Sequence, residues 1–238
     1  MLEQPQSATR PSIRPVETWI FDLDNTLYPV GTNLFASVSQ RIGQYIARHF
    51  DIDLAEARRL QRRYFLEYGT SLRGLMTVHN IPPKEFLDYV HDIELDALDP
   101  WPELDRALTR LPGRKVIFTN AAAGYAERVV AKLGVERHFI GVFDVVAADY
   151  RPKPDPAPYE VLCARYGIRP EQAAMVEDMS VNLGPAHRLG MTTVWVPSEA
   201  DWRDRDPDLK HIHHVVEDLP AWLGEQAAAQ AALRTAGD

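Results

Sequence analysis

The residues best placed to do chemistry are Asp22 and Asp24, in the stretch Trp19-Ile20-Phe21-Asp22-Leu23-Asp24-Asn25-Thr26. Apolar residues lead into two acids one residue apart, so a strand carries both carboxylates to its end and its period of two aims them to the same side. Like charges this close repel, which raises one pKa. A divalent cation between them removes that repulsion, and Mg²⁺ selects carboxylate oxygens. An aspartate is also a competent nucleophile that forms an aspartyl-phosphate. Taken alone, the pair is equally an acidic turn at a strand end.

Three later stretches carry compatible groups. Thr119 and Asn120 follow the apolar run from Lys115 to Phe118 and turn into a helix. There a hydroxyl and backbone N–H groups can hold phosphate oxygens, or Thr119 can serve as an ordinary cap. Lys153 is fixed between Pro152 and Pro154, within Arg151-Pro152-Lys153-Pro154-Asp155-Pro156. Such a lysine can pair with a nucleophile and a phosphate, or be a solvated residue in a stiff loop. Glu177-Asp178 ends the run Met175-Val176, with Asn182 and Gly184 leading into a helix. This repeats the acid placement of the first strand and offers further oxygens to a metal, although acids at a helix start need no metal.

These positions require a sheet whose strands all end on one side. Strands are expected at Val16–Phe21, Lys115–Phe118, Val142–Val146, Ala173–Val176 and Thr192–Val196, with one more at Val215-Val216. Helices are expected at Tyr125–Leu133, stopped by Gly134, at Pro158–Tyr166, at Asn182–Leu189, stopped by Gly190, and from Leu219. The alternation implies an α/β fold with a Rossmann-like parallel sheet, where ligands bind beyond the carboxyl ends of the strands. Between Asn33 and Leu98 the periodicity is helical throughout: Leu34, Val38, Ile42, Tyr45 and Ile46 share one face, Leu54, Ala57, Leu60 and Tyr64 another, and Pro82-Pro83 opens a helix bearing Phe86, Leu87, Val90 and Ile93. The expected organisation is a loose arm over residues 1–15, with Pro5, Pro11 and Pro15, a core from 16–32 and 99–238, and a helical body over 33–98 above the carboxylates. The Ala-rich tail from Gln226 is expected to fray.

With 26 basic and 34 acidic residues in 238, a net charge of −8 and no long Lys/Arg block, the chain is unsuited to long nucleic acid. No apolar run reaches membrane-spanning length and the opening lacks signal-peptide order, so a cytoplasmic location is expected. The lone Cys163 fits a reducing compartment and a packing role. His211, His213 and His214 read as a polar edge strand or turn, and Arg58, Arg59, Arg62 and Arg63 as a solvated helix face.

In their order, Asp22-Leu23-Asp24-Asn25-Thr26, Thr119, Lys153 and Glu177-Asp178 resemble the four motifs of the haloacid dehalogenase superfamily of phosphohydrolases, over nearly the whole chain. The resemblance implies that Asp22 attacks phosphorus, that Asp24 protonates the leaving oxygen and then activates water, and that Thr119 and Lys153 bind phosphate, with Asn120 beside them. It also implies Mg²⁺ held by Asp22, the Asp24 carbonyl and Asp178. Relatives often carry two aspartates where this chain has Glu177-Asp178, so Glu177 is expected to reach the metal through water. The helical insertion resembles the superfamily's C1-type cap. Asn25-Thr26-Leu27-Tyr28-Pro29 and Tyr68-Gly69-Thr70-Ser71-Leu72-Arg73-Gly74-Leu75 resemble the pyrimidine 5′-nucleotidase branch. Gly69 and Gly74 are expected to bracket a flexible turn that brings Arg73 to an anionic substrate. The implied activity is Mg²⁺-dependent hydrolysis of a small phosphomonoester, with a nucleoside monophosphate first. The alternatives are a sugar-phosphate phosphatase or phosphomutase, then a 2-haloacid dehalogenase or a non-catalytic binding module. The oligomeric state is not read from the sequence.

Overall fold

The structure, a computed structural model, describes residues 15–198 and 209–235. The expected arm therefore lies outside the described residues except for Pro15. Six strands, β1 (Thr18–Phe21), β2 (Arg114–Phe118), β3 (Val142–Phe143), β4 (Ala173–Glu177), β5 (Thr192–Trp195) and β6 (His214–Val215), form one parallel sheet in the order β3-β2-β1-β4-β5-β6. Strands covered on both faces must be apolar throughout, and every residue of β1 and β4 is buried. Alternation divides their side chains between two layers. Trp19 and Phe21 pack with Leu104, Leu108, Val129 and Trp222 on one face, while Ile20 packs with Tyr159, Leu162 and Leu183 on the other.

Five helices cover the sheet: α5 (Pro102–Arg110), α6 (Ala123–Leu133), α7 (Pro156–Tyr166), α8 (Ser180–Arg188) and α9 (Leu219–Thr235). The chain adds β2 and β3 to one side of β1 and β4 to β6 to the other. The crevice where connections diverge therefore lies between β1 and β4. Register fixes what meets there. Phe21 is level with Ile117 and with Val176, so the next residue, Asp22, emerges beside Phe118 and Glu177.

Between β1 and α5 the chain forms α1 (Leu34–Phe50), α2 (Leu54–Tyr68), α3 (Ser71–His79) and α4 (Pro83–His91). The Asp53 side chain caps α2 by accepting from Glu56 N, and the Thr70 hydroxyl caps α3 by accepting from Arg73 N. These helices bury their own cluster, including Tyr45, Ile46, Tyr64, Leu75, Phe86 and Val90. Leu34, Val38, Leu95 and Leu98, near the two ends of the insertion, pack instead with Trp19 and Phe21, which ties it to the sheet. Leu54 departs from its expected face and is 48% exposed; the buried positions of α2 are Ala57, Gln61 and Tyr64. Gln61 is tolerated there because its amide donates to Ser39 O and Oγ.

Several sequence expectations are corrected. β3 stops at Phe143 rather than Val146, because the Asp144 carboxylate accepts from Ala147 N and Ala123 N and turns the chain. Helix α5 was not anticipated, although Pro102 opens it and Leu104, Ala107 and Leu108 give it a buried face. The tail from Gln226 does not fray within the described residues: α9 runs to Thr235, Ala227 is buried, and the Gln230 side chain accepts from Val16 N at 3.1 Å. Among the described residues no helix is long and apolar enough to cross a membrane.

Gly69 and Gly74 do not bracket a flexible turn. Gly69, at φ +84°, is the left-handed cap of α2, whereas Gly74 lies inside α3, where a Cβ would meet Tyr64 Cβ and Cγ at 2.5 Å. Gly74 is the contact that lets α3 approach α2. Gly74→Ala should therefore destabilise the protein by about 1–3 kcal/mol through overpacking, although alanine is the better helix former. Urea denaturation checks this, and unchanged stability would mean that Tyr64 moves aside freely.

Candidate active site

Asp22 lies just beyond β1, where its backbone N–H donates to Val176 O, and Lys153 reaches it from the loop before α7. Lys153 Nζ is 2.6 Å from Asp22 Oδ1, 2.7 Å from Glu177 Oε2 and 2.8 Å from Phe118 O, so all three ammonium donors are engaged. Burial alone would lower the Lys153 pKa, but the Asp22 and Glu177 charges outweigh it and hold the ammonium above its ordinary range. Both amide atoms of Asn120 clamp the Lys153 main chain, with Oδ1 accepting from its N–H at 2.8 Å and Nδ2 donating to its carbonyl at 3.3 Å. Asn120 thus positions the lysine, and with one Nδ2 N–H given to that carbonyl its second N–H is left over at a residue that lines the cavity.

Thr119 is buried beyond β2, its hydroxyl accepting from Ala121 N at 3.0 Å. It does not cap a helix, since α6 has Ala122 at its N-cap without a side-chain hydrogen bond, and it lines the cavity that holds Asp22 and Asp24. Asp22 Oδ2 accepts from the Thr26 hydroxyl at 3.2 Å. Burial, then the Glu177 charge, push Asp22 up to about 6 against the pull of Lys153. Asp24 is also pushed up to about 6, by burial and then by Asp22. Its Oδ1 accepts from Tyr28 OH and, at 3.1 Å, from Tyr125 OH.

On the far side, carboxylate oxygens of Asp22, Glu177 and Asp178 lie within 4.8 Å of one another, all three residues buried. Lys153 pairs with two of these three acids, which leaves a deficit of positive charge that a hard divalent cation would fill. The residues present therefore fit a Mg²⁺ ion. Glu177 is committed elsewhere: Oε2 to Lys153, and Oε1 to Asn182 Nδ2 at 3.0 Å and Met179 N at 3.2 Å. Asp178 is anchored by Trp195 Nε1 on its carbonyl and by the Ser198 hydroxyl on Oδ2.

The cavity that holds Asp22 and Asp24 is about 130 Å³ and is lined from the insertion by apolar residues, among them Phe35, Val38, Phe65, Phe86 and Leu87. Arg73 is not in it. It lines a neighbouring chamber of about 490 Å³ with Tyr68 and Asp155, and the two spaces share Phe65, Asn120, Lys153, Met179 and Asn182. Thr26 and Tyr28 stand in the quoted motifs without a role assigned to them, and Tyr125 was read only as the start of a helix; it is 101 residues from Asp24 in the chain, and only the fold brings the two together.

Of the three histidines read as an edge strand or turn, His211 ends a 3₁₀ turn with Nε2 2.8 Å from Ser180 O, His213 Nδ1 is 2.7 Å from Thr193 Oγ1, and His214 opens the edge strand β6. Arg58, Arg59, Arg62 and Arg63 are exposed on α2. Cys163 is a partly buried free thiol on α7, pushed up to about 11 by burial and then by Glu160.

Residues 16–190 match a profile of the haloacid dehalogenase-like hydrolase family. Among curated proteins, the chain is 28% identical over 192 residues to phosphate metabolism protein 8 of Saccharomyces cerevisiae, covering 74% of this chain and 60% of the yeast protein. It is 25% identical over 212 residues to a glyceraldehyde 3-phosphate phosphatase of Methanopyrus kandleri, covering 81% of this chain and 88% of that protein. Among solved structures, a HAD phosphatase from Thermococcus onnurineus superposes with a TM-score of 0.56 at 20% identity, over 86% of this chain and 94% of its own. L-2-haloacid dehalogenases share the same fold.

Proposed function

This chain belongs to the haloacid dehalogenase-like hydrolase family, and from that premise we propose that it is a Mg²⁺-dependent phosphatase of small phosphomonoesters, with a pyrimidine nucleoside monophosphate as the first-choice substrate. The observation that carries this reading is the buried cluster of Asp22, Glu177 and Asp178, of which a single lysine pairs with the first two. A carbon–halogen displacement by Asp22 needs neither a cation site nor a leaving-group acid, and this chain has residues for both. The yeast and Methanopyrus relatives carry phosphate chemistry in their names, which supports the same direction; the chain spans 60% of the length of the yeast protein.

In the proposed reaction an Asp22 oxygen attacks phosphorus in line with the ester bond. Lys153 supplies positive charge at the nucleophile, and an entering phosphoryl oxygen takes over one of its three hydrogen bonds. Thr119 faces the remaining oxygens from the end of β2. Asp24 donates its proton to the departing oxygen, then takes one from the water that attacks phosphorus and frees Asp22. Mg²⁺, held by Asp22, Asp178 and the Asp24 carbonyl, would neutralise charge on the transferred group. Glu177 would act behind it, by fixing Lys153.

A catalytic cavity of about 130 Å³ accommodates the phosphoryl group, and the chamber beside it leaves room for a leaving group. We assign the four inserted helices, within 33–98, the role of a cap that discriminates among leaving groups, with Arg73 as the contact. Arg73→Ala should lower kcat/KM for UMP or CMP by a binding energy of about 1–3 kcal/mol and leave p-nitrophenyl phosphate much less affected. Equal values for every substrate would remove Arg73 from the site. The decisive assay is phosphate release across nucleotides and sugar phosphates with Mg²⁺ and with a chelator. A small sugar phosphate is the second reading, favoured by the likeness to the Methanopyrus enzyme over most of its length. Release without Mg²⁺ dependence would contradict the proposal, and isomerised product in place of phosphate would indicate a mutase.

A further inference from the structure

The site contains two buried phenols that the reaction outlined above does not use. Tyr28 is fully buried in the loop after β1, and Tyr125 is 2% exposed on α6. Both donate to one oxygen of Asp24, its Oδ1, with Tyr125 at 3.1 Å. A phenol has a single proton to give, and the two phenol oxygens lie 3.3 Å apart, so neither donor has capacity for anything else. The Tyr125 ring is itself fixed by stacking on His91 of α4, with centroids 4.6 Å apart and planes 14° apart. Asp24 Oδ2 takes no hydrogen bond from any described residue, and Asp24 lines the catalytic cavity.

We propose that Tyr28 and Tyr125 are a pair of positioning residues that pin the Asp24 carboxyl group through Oδ1 and reserve Oδ2 as the oxygen that carries the proton. This rests on the phosphatase reading. An oxygen already accepting two O–H donors cannot be protonated without losing one of them, so the proton sits on Oδ2. As the ester P–O bond breaks, its electron pair goes to the leaving oxygen and the Oδ2 proton moves with it. Asp24 is left a carboxylate, still held through Oδ1, and the same Oδ2 accepts the proton of the attacking water.

The bland alternative is that two buried hydroxyls have found the nearest acceptor and serve packing only. Leaving-group dependence separates the two. The value of kcat/KM reports steps up to the phosphoenzyme and is free of its hydrolysis, so it isolates the protonation by Asp24. Tyr28→Phe and Tyr125→Phe should each lower kcat/KM for an alkyl phosphate by about tenfold and for p-nitrophenyl phosphate by less than about threefold. The slope against leaving-group pKa should steepen accordingly. In an Asp24→Asn background, adding Tyr125→Phe should not steepen it further. Losses equal for good and poor leaving groups would overturn the proposal. If the wild-type protein with Mg²⁺ releases phosphate from no monoester, the phosphatase reading fails, and crystal structures of the single phenylalanine variants decide the positioning separately. Displacement of the Asp24 carboxylate is the expected result, and an unmoved carboxylate would overturn it.

Discussion

Asp22→Asn should fold normally and lose turnover by more than about 10⁴-fold, the scale on which removal of a nucleophile acts. The amide keeps the shape of the side chain: its carbonyl oxygen can still accept from Lys153 at the Oδ1 position, while its NH2 takes the Oδ2 position beside Thr26, whose hydroxyl can turn to accept, so the crevice between β1 and β4 stays filled. What it lacks is a lone pair basic enough to attack phosphorus. The stability of the metal-free protein should be unchanged or higher. Burial and Glu177 push Asp22 up to about 6, so its charge is disfavoured near neutral pH, and asparagine removes that penalty. Mg²⁺ should raise the thermal midpoint of the wild type more than that of the variant, because a ligand to the ion is lost. Phosphate release within tenfold of wild type would refute the nucleophile assignment.

Lys153→Met should be the most destabilising of the substitutions considered, by about 3–5 kcal/mol, since it leaves Asp22 and Glu177 buried without their cation. The loss should depend on pH with a definite sign. A carboxyl whose folded pKa lies above its unfolded value favours folding fully below the unfolded pKa and loses that contribution as pH rises through the folded one. Both acids are already raised with the lysine present and rise further without it. The variant should therefore be closer to wild type at about pH 5 than at about pH 8. Urea midpoints at the two pH values measure this, and a constant or inverted difference would show that Lys153 does not stabilise the pair. Activity should fall as well, because the ammonium at the nucleophile is gone.

The core was legible because the chemistry-bearing residues other than Lys153 sit at or just past the end of a short buried strand. Val116, Ile117 and Phe118 announce Thr119 just as Met175 and Val176 announce Glu177 and Asp178, and a parallel sheet aligns those ends. Long-range partners were not legible. Nothing local to Tyr125 marks it as a partner of Asp24, and nothing in Asn120 shows that its amide clamps the Lys153 main chain. Gly74 read as a hinge because glycine serves both freedom and close approach, and only the position of Tyr64 distinguishes them. The alanines after Gln226 lack the apolar pattern of a docked helix, yet α9 is held by Gln230 on Val16 N and by Ala227 in the core.

The central claim is that Asp22 carries the phosphoryl group between substrate and water. Rapid mixing with a radiolabelled phosphomonoester and Mg²⁺, followed by acid quench, should trap label on the protein. Borohydride reduction of the quenched protein should convert an acyl phosphate at that position to homoserine, which peptide mass spectrometry would place at residue 22. Substrate turnover with no covalent label, or with label and homoserine at another acid such as Asp24 or Asp178, would contradict the account.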